Sequence, residues 1–168
     1  MSQTPKYQFE VYLTHLRAEK EDLRTLWTAS KSALEAEEAE LLRLEEETKQ
    51  LQVEIQRWKK EYNDGFGAGT LSGLEMSSRR DHLRRLDGDL GDQKRKELAQ
   101  KRAVQKAARA EEAAKDAFLE KSNEVQVHED RKDQWQKDMK REELRQEQKQ
   151  IEEISTAMHE RRRRENRD

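Results

Sequence analysis

The sequence predicts an all-α fold, a long antiparallel two-helix coiled-coil hairpin with an extended C-terminal helix. Three observations predict it. Charged residues make up 43% of the 168 and hydrophobic ones only 32%, too little apolar surface for a globular core to offset chain entropy. All six glycines fall between Gly65 and Gly91, and the only proline is Pro5, so a single break interrupts otherwise helical sequence. Apolar residues also recur at alternating steps of four and three residues, the mark of a coiled-coil seam. The 35 basic residues nearly cancel 37 acidic ones, which argues against a disordered chain. Richness in Ala, Glu, Lys, Leu and Arg favours long helices.

The first helix is expected at about 5–62, with Thr4 as N-cap and Pro5 in the first turn. Its seam runs through Phe9, Leu13, Leu16, Lys20, Leu23, Trp27, Ser30, Leu34, Glu37, Leu41, Leu44, Thr48, Leu51, Ile55, Trp58 and Tyr62, of which twelve are apolar. The break follows at about 63–73, where Asn63-Asp64-Gly65 is turn chemistry and four glycines lie within nine residues. Ser72 or Thr70 is placed to cap the second helix, expected at about 74–165. Its seam (Leu83, Leu86, Leu90, Val104, Ala107, Ala114, Phe118, Val125, Trp135, Met139) is interrupted by Gln93, Glu97, Gln100, Glu111 and Lys121. Gly88 and Gly91 mark an expected weak or bent spot. After Met139 the apolar set resumes out of phase at Leu144, Ile151, Ile154 and Met158.

The seam is expected to close within the chain, making residues 1–168 a single hairpin. A turn centred near Ala68 sets residues 27–57, net −4, against residues 79–109, net +6. A parallel dimer aligns like with like, whereas flanking charges of opposite sign favour the hairpin and a monomer in isolation. The arms are unequal, so residues from Arg131 to Glu165 are expected to lack an internal partner. Apolar side chains on such a helix call for a partner protein. That makes Trp135, Met139, Ile151, Ile154 and Met158 candidate binding residues, with Arg161 and Arg162 meeting acidic patches.

Other chemistry finds little support. Cysteine is absent and no two of the four histidines lie four residues apart, so neither a disulfide nor a metal site is expected. The cluster Gly65-Phe66-Gly67-Ala68-Gly69 lacks the Gly-Lys-Ser/Thr ending of a phosphate loop. Acidic runs such as Glu45-Glu46-Glu47 have no pocket to shift their pKa values. No enzymatic activity and no cofactor are expected. The run Arg161–Arg164 serves first as helix C-terminal cations, next as a match for an acidic protein patch, and last as a nucleic-acid contact, for which no basic-aromatic stripe exists. Trp58 and Tyr62, one turn before the break, either plug the seam or form an exposed anchor. There is no run of about 18 apolar residues, so no membrane insertion is expected. The start lacks a signal-peptide pattern, and a cytoplasmic protein is expected.

The C-terminal stretch from His128 through Trp135, Met139, Glu147, Ile151 and Met158 to His159 is a charged helix with one Trp, then a Glu/Gln-rich run ending in hydrophobics and a His. It resembles the end of the YscO family, the central stalk proteins of bacterial type III secretion. The segment Tyr7 to Arg17 resembles that family's start more loosely. The resemblance implies a two-helix hairpin similar to the rotor stalk of F-type ATPases. It also implies, as partners, the hexameric secretion ATPase, the export gate protein and secretion chaperones, at the cytoplasmic face of the apparatus. In the flagellar counterpart (FliJ-like), gate-binding aromatics lie near the hairpin end. Leu51, Ile55, Trp58 and Tyr62 show that spacing, although Leu51 replaces a polar residue. A generic coiled-coil spacer and a holdase-like chaperone are the alternatives.

Overall fold

The computed structural model describes residues 6–165. Two helices carry almost all of them, α1 (Glu10–Gly67) and α2 (Gly73–Glu165), and they pair antiparallel as an all-α hairpin. The pairing divides into two compact units, Leu23–Phe118 and Met1–Asp22 with Leu119–Asp168.

In the first unit the seam of α1 behaves as its spacing requires: every step from Leu23 to Tyr62 is buried or half-buried. On α2 the same unbroken alternation of three and four runs from Met76 to Phe118. This corrects the expected interruptions, because Gln93, Glu97, Gln100 and Glu111 occupy seam positions and bond across to α1. Gln93 donates to the Glu47 carboxylate at 2.9 Å, Thr48 to Glu97 at 3.0 Å, and Gln100 to the backbone carbonyl of Glu37 at 2.9 Å. The Trp27 indole donates to Glu111 at 2.6 Å and stacks on Phe118, centroids 5.4 Å apart. Polar groups in a seam are tolerated when each finds a partner. The expected charge complementarity is carried directly by Lys101–Glu45 at 3.5 Å, while Lys59–Asp87 at 3.8 Å runs with the opposite polarity. α2 passes through Gly88 and Gly91 without interruption.

The turn is shorter and later than expected. α1 continues through Asn63, Asp64 and Gly65 to Gly67, leaving residues 68–72 as the connection. Its end is closed by a Schellman motif: the Thr70 amide donates to the Gly65 carbonyl and the Gly69 amide to the Phe66 carbonyl, each at 3.2 Å. Gly69 carries φ +65°, the left-handed value the motif needs. Leu71 then folds onto Gly65, where a Cβ would meet its Cδ1 at 2.7 Å. Gly65 is therefore kept inside the helix to receive Leu71, and it does not break the helix. Ser72 caps α2 in a capping box. Its amide donates to the Glu75 carboxylate at 2.8 Å, and the Glu75 amide returns a bond to Ser72 Oγ at 3.3 Å. The backbone bond from Ser72 leads in holding the Glu75 carboxyl below its usual value.

In the second unit Leu13, Leu16 and Val125 form a small core, each at most 2% exposed. Lys121 sits on the seam and pairs with Glu19 at 3.1 Å and Glu124 at 2.7 Å. Arg17–Glu129 and Lys132–Glu10 cross between the helices as well. α1 begins at Glu10, whose amide bonds the Tyr7 carbonyl at 3.1 Å, so the helix starts later than its expected beginning at residue 5. Glu10 puts a carboxylate at the positive end of the helix. Thr4 and Pro5 lie outside the described residues.

Facing residues in both units, such as Trp58 with His82 and Tyr12 with His128, are centred near residue 70. Because the turn falls later than Ala68, α1 reaches further along α2 than expected. Lys132 and Trp135 are engaged, and Met139 is half-buried. The stretch without an internal partner is therefore residues 140–165, all exposed, in place of 131–165.

Candidate partner-binding site

The arm of residues 140–165 is a helix that no other described residue covers. Leu144, Ile151, Ile154 and Met158 are each more than half exposed. Their spacing of seven, three and four residues sets them on one face, which Arg161 and Arg162 continue. At 3.6 residues per turn that face is rotated by about a third of a turn from the line of Met139. Helix α1, extended along its own seam, would therefore not cover it. Ion pairs within the arm, Arg145–Glu142 and Arg161–Glu165, support the helix locally. The last turn carries Arg162, Arg163 and Arg164, cations that suit the negative end of a helix.

Of the residues singled out from sequence, Ile151, Ile154, Met158, Arg161 and Arg162 lie together on this arm. Trp135 and Met139 do not belong to it. The Trp135 ring packs at 5.3 Å from Tyr7, and Met139 is the last half-buried seam position. Trp58 and Tyr62 sit in the seam near the turn, both half-buried. Trp58 meets His82 edge-on at 4.7 Å, and the Tyr62 hydroxyl accepts a long contact of 3.5 Å from Arg80. That contact leads in raising the Arg80 guanidinium above its usual value. Ile55, one turn earlier, is 3% exposed. The Leu51-Ile55-Trp58-Tyr62 spacing is thus a seam spacing, and the two aromatics close the hairpin end.

Sequence reasoning missed a second group. Tyr7, Phe9 and Tyr12 gather with His128 and Arg131 around an open cleft of about 390 Å³. The signal was the aromatic spacing of Tyr7, Phe9 and Tyr12, hidden because Phe9 was counted into the seam. Among the described residues no cluster of His, Asp or Glu could hold a metal ion, and no helix is long and apolar enough to cross a membrane.

The fold and this uncovered arm define a class: a helical hairpin that closes one seam internally and leaves a second apolar face exposed. The YscO-like protein family model matches residues 4–165, and the chain belongs to that family. It is thereby a type III secretion-associated protein, in a structural family of that system and not a known enzyme family. The solved structure of a Chlamydia trachomatis protein described as a YscO homologue matches with a TM-score of 0.78, over 94% of this chain and 96% of that one. At 19% sequence identity that likeness concerns the fold. No curated protein matches the chain.

Proposed function

We propose that this protein is a non-enzymatic central stalk and escort of a bacterial type III secretion system. In this reading it engages the hexameric secretion ATPase at the cytoplasmic face of the apparatus and links it to the export gate and to secretion chaperones. The observation that carries the reading is the uncovered stripe Leu144, Ile151, Ile154 and Met158 on a helix of a YscO-like chain. Ile151, Ile154 and Met158 supply apolar anchors, and Arg161 and Arg162 meet acidic groups at the end of the contact. Trp135 and Met139 act at one remove, by fixing where the paired stem ends and the arm begins. Trp58 and Tyr62 shape the turn end that faces the gate.

The test is turnover and ring assembly of the secretion ATPase with and without the protein. Substoichiometric protein is expected to promote rings and speed hydrolysis, and Ile151→Asp with Ile154→Asp to abolish both effects while helix content is retained. Burial of one such aliphatic side chain is worth about 1.5–3 kcal/mol, so the double variant should cost at least roughly a hundredfold in affinity. No binding by the unaltered protein at micromolar concentrations would remove the stalk reading.

A further inference from the structure

The cleft beside the start of α1 has features that closing the seam does not require. A turn at Gln8 and Phe9 precedes α1. Tyr7 lies against Trp135, and Phe9 is left outside the seam at 49% exposure. The Tyr7 and Phe9 rings meet edge-on at 5.8 Å, and Tyr12, 44% exposed, leans on His128 at 5.1 Å. Leu13 and Leu16 close the seam at this level by themselves, at 0% and 2% exposure. Phe9 and Tyr12 are therefore large apolar groups facing water from the walls of a cavity.

The charge around the cavity is also unbalanced. The nearby carboxylates Glu10, Glu124, Glu129 and Asp130 are already matched, by Lys132, by Lys121 and Tyr12, by Arg17 and by the Gln126 amide, and Asp133, which has no such partner, lies about 200° around α2 from Arg131. Arg131, which lines the cleft with the aromatics, has no hydrogen-bond or ion-pair partner among the described residues. A guanidinium presents a planar fork suited to a carboxylate, and it stacks readily on aromatic rings.

We propose that this cleft docks a partner-protein segment carrying an aromatic or branched apolar side chain next to a carboxylate. The apolar side chain enters between Phe9 and Tyr12, and the carboxylate meets Arg131. A volume of about 390 Å³ lies at the small end of ligand clefts, enough for one or two side chains. Two cations without partners, Arg131 and the exposed Lys6 beside Tyr7, are too few for a nucleic-acid backbone or an anionic bilayer, both of which are held by several cations acting together. The site is separate from the stripe that begins at Leu144 and does not depend on which machine the protein serves.

The test uses the full-length ¹⁵N-labelled protein and two blocked tripeptides, acetyl-Glu-Leu-Phe-amide and acetyl-Gln-Leu-Phe-amide, followed by amide and arginine Nε shifts. The acidic peptide is expected to move resonances of residues 7–12 and 127–131 and to bind roughly threefold more tightly than the neutral one, the worth of a half-exposed ion pair. Arg131→Gln should erase that difference and leave the neutral peptide's binding unchanged, whereas Phe9→Ala should weaken both. Arg131 is exposed, so its replacement should leave the fold intact, which circular dichroism of both variants is to check. Equal binding of the two peptides, shifts confined to residues 144–158, or no shift up to about 10 mM, above the millimolar range of small ligands, would each overturn the proposal. So would binding to anionic phospholipid vesicles with neither peptide active, which would assign the cleft to a lipid surface.

Discussion

Trp135 packs its indole against the ring of Tyr7, centroids 5.3 Å apart and tilted by 50°, at the point where α2 stops having a helix beside it. One aromatic contact thus pins the residues before α1 and sets the base of the arm. Trp135→Ala is expected to destabilise this end by about 1–2 kcal/mol, the worth of a half-buried aromatic pair. Hydrogen exchange at residues 10–16 should accelerate while the seam around Ile55 stays protected, and Trp135→Phe should restore most of the protection. If exchange were unchanged at residues 10–16 and only partner binding fell, Trp135 would be a direct contact and not a positioning residue.

At the turn, two glycines are required for different reasons. Gly69 holds φ +65°, and Gly69→Ala should cost about 1–2 kcal/mol from left-handed strain. Gly65→Ala brings a Cβ to 2.7 Å from Leu71 Cδ1, a clash with a side chain and not with backbone. Its cost should therefore largely disappear when Leu71 is also truncated to Ala. A thermal-denaturation double-mutant cycle checks this: strong coupling between positions 65 and 71 is expected, with none between 69 and 71. Ser72→Ala should remove the cap for about 1 kcal/mol.

The pairing of Lys121, Glu124 and Tyr12 gives the hairpin a predictable response to acid and alkali. The Lys121 hydrogen bond is the main reason the Glu124 carboxyl sits below its ordinary 4.5. Its stabilising effect is full above that value and is lost as pH falls through the lower folded-state value. Partial burial, then the bond to Glu124, holds the Tyr12 hydroxyl above its ordinary 10.0. Lys121 is likewise raised above 10.5, first through Glu124. These two contributions are present below the ordinary values and lost as pH rises through the folded ones. Melting temperature against pH should show a plateau with an acid limb that Glu124→Gln makes shallower. An equally steep limb in that variant would place the effect in other carboxylates. Added salt should lower the plateau modestly, because the groups are only partly shielded from solvent.

The seam of α1 was legible because three-quarters of its positions are apolar, and the cap of α2 was legible as Ser72 or Thr70, whereas the reciprocal bond from Glu75 that singles out Ser72 was not. The α2 seam was not, because Gln93, Glu97, Gln100 and Glu111 read as interruptions when their partners on α1 are unknown. Their role comes from cross-helix hydrogen bonds that no spacing rule on one helix encodes. The register was misplaced because Asn63-Asp64-Gly65 carries turn chemistry, yet the packing of Leu71 keeps Gly65 helical. That shift moved Trp135 from the open arm to the stem. The cleft was hidden by the same seam count, which took Phe9 for a buried position.

Those polar seam positions lead to the last prediction. Thr48 is 6% exposed, and its hydroxyl donates to Glu97 at 3.0 Å and lies 2.9 Å from the Leu44 carbonyl. Thr48→Val keeps the shape but leaves the half-buried Glu97 carboxylate without that donor, and about 1 kcal/mol should be lost. Replacing both members, Thr48→Val with Glu97→Leu, removes the polar pair altogether, and the hairpin should then melt at a higher temperature than the unaltered protein. The gain in stability should come with a loss of register. A polar pair at one seam level penalises every alignment that separates its members, so each pair removed makes a one-heptad slide or pairing between two chains less costly. Sedimentation of the double variant should therefore show more dimer than the unaltered protein does under the same conditions. A more stable variant with no added dimer would mean that register does not depend on the Thr48–Glu97 pair and is held by the turn and by the remaining pairs Gln93–Glu47 and Gln100–Glu37.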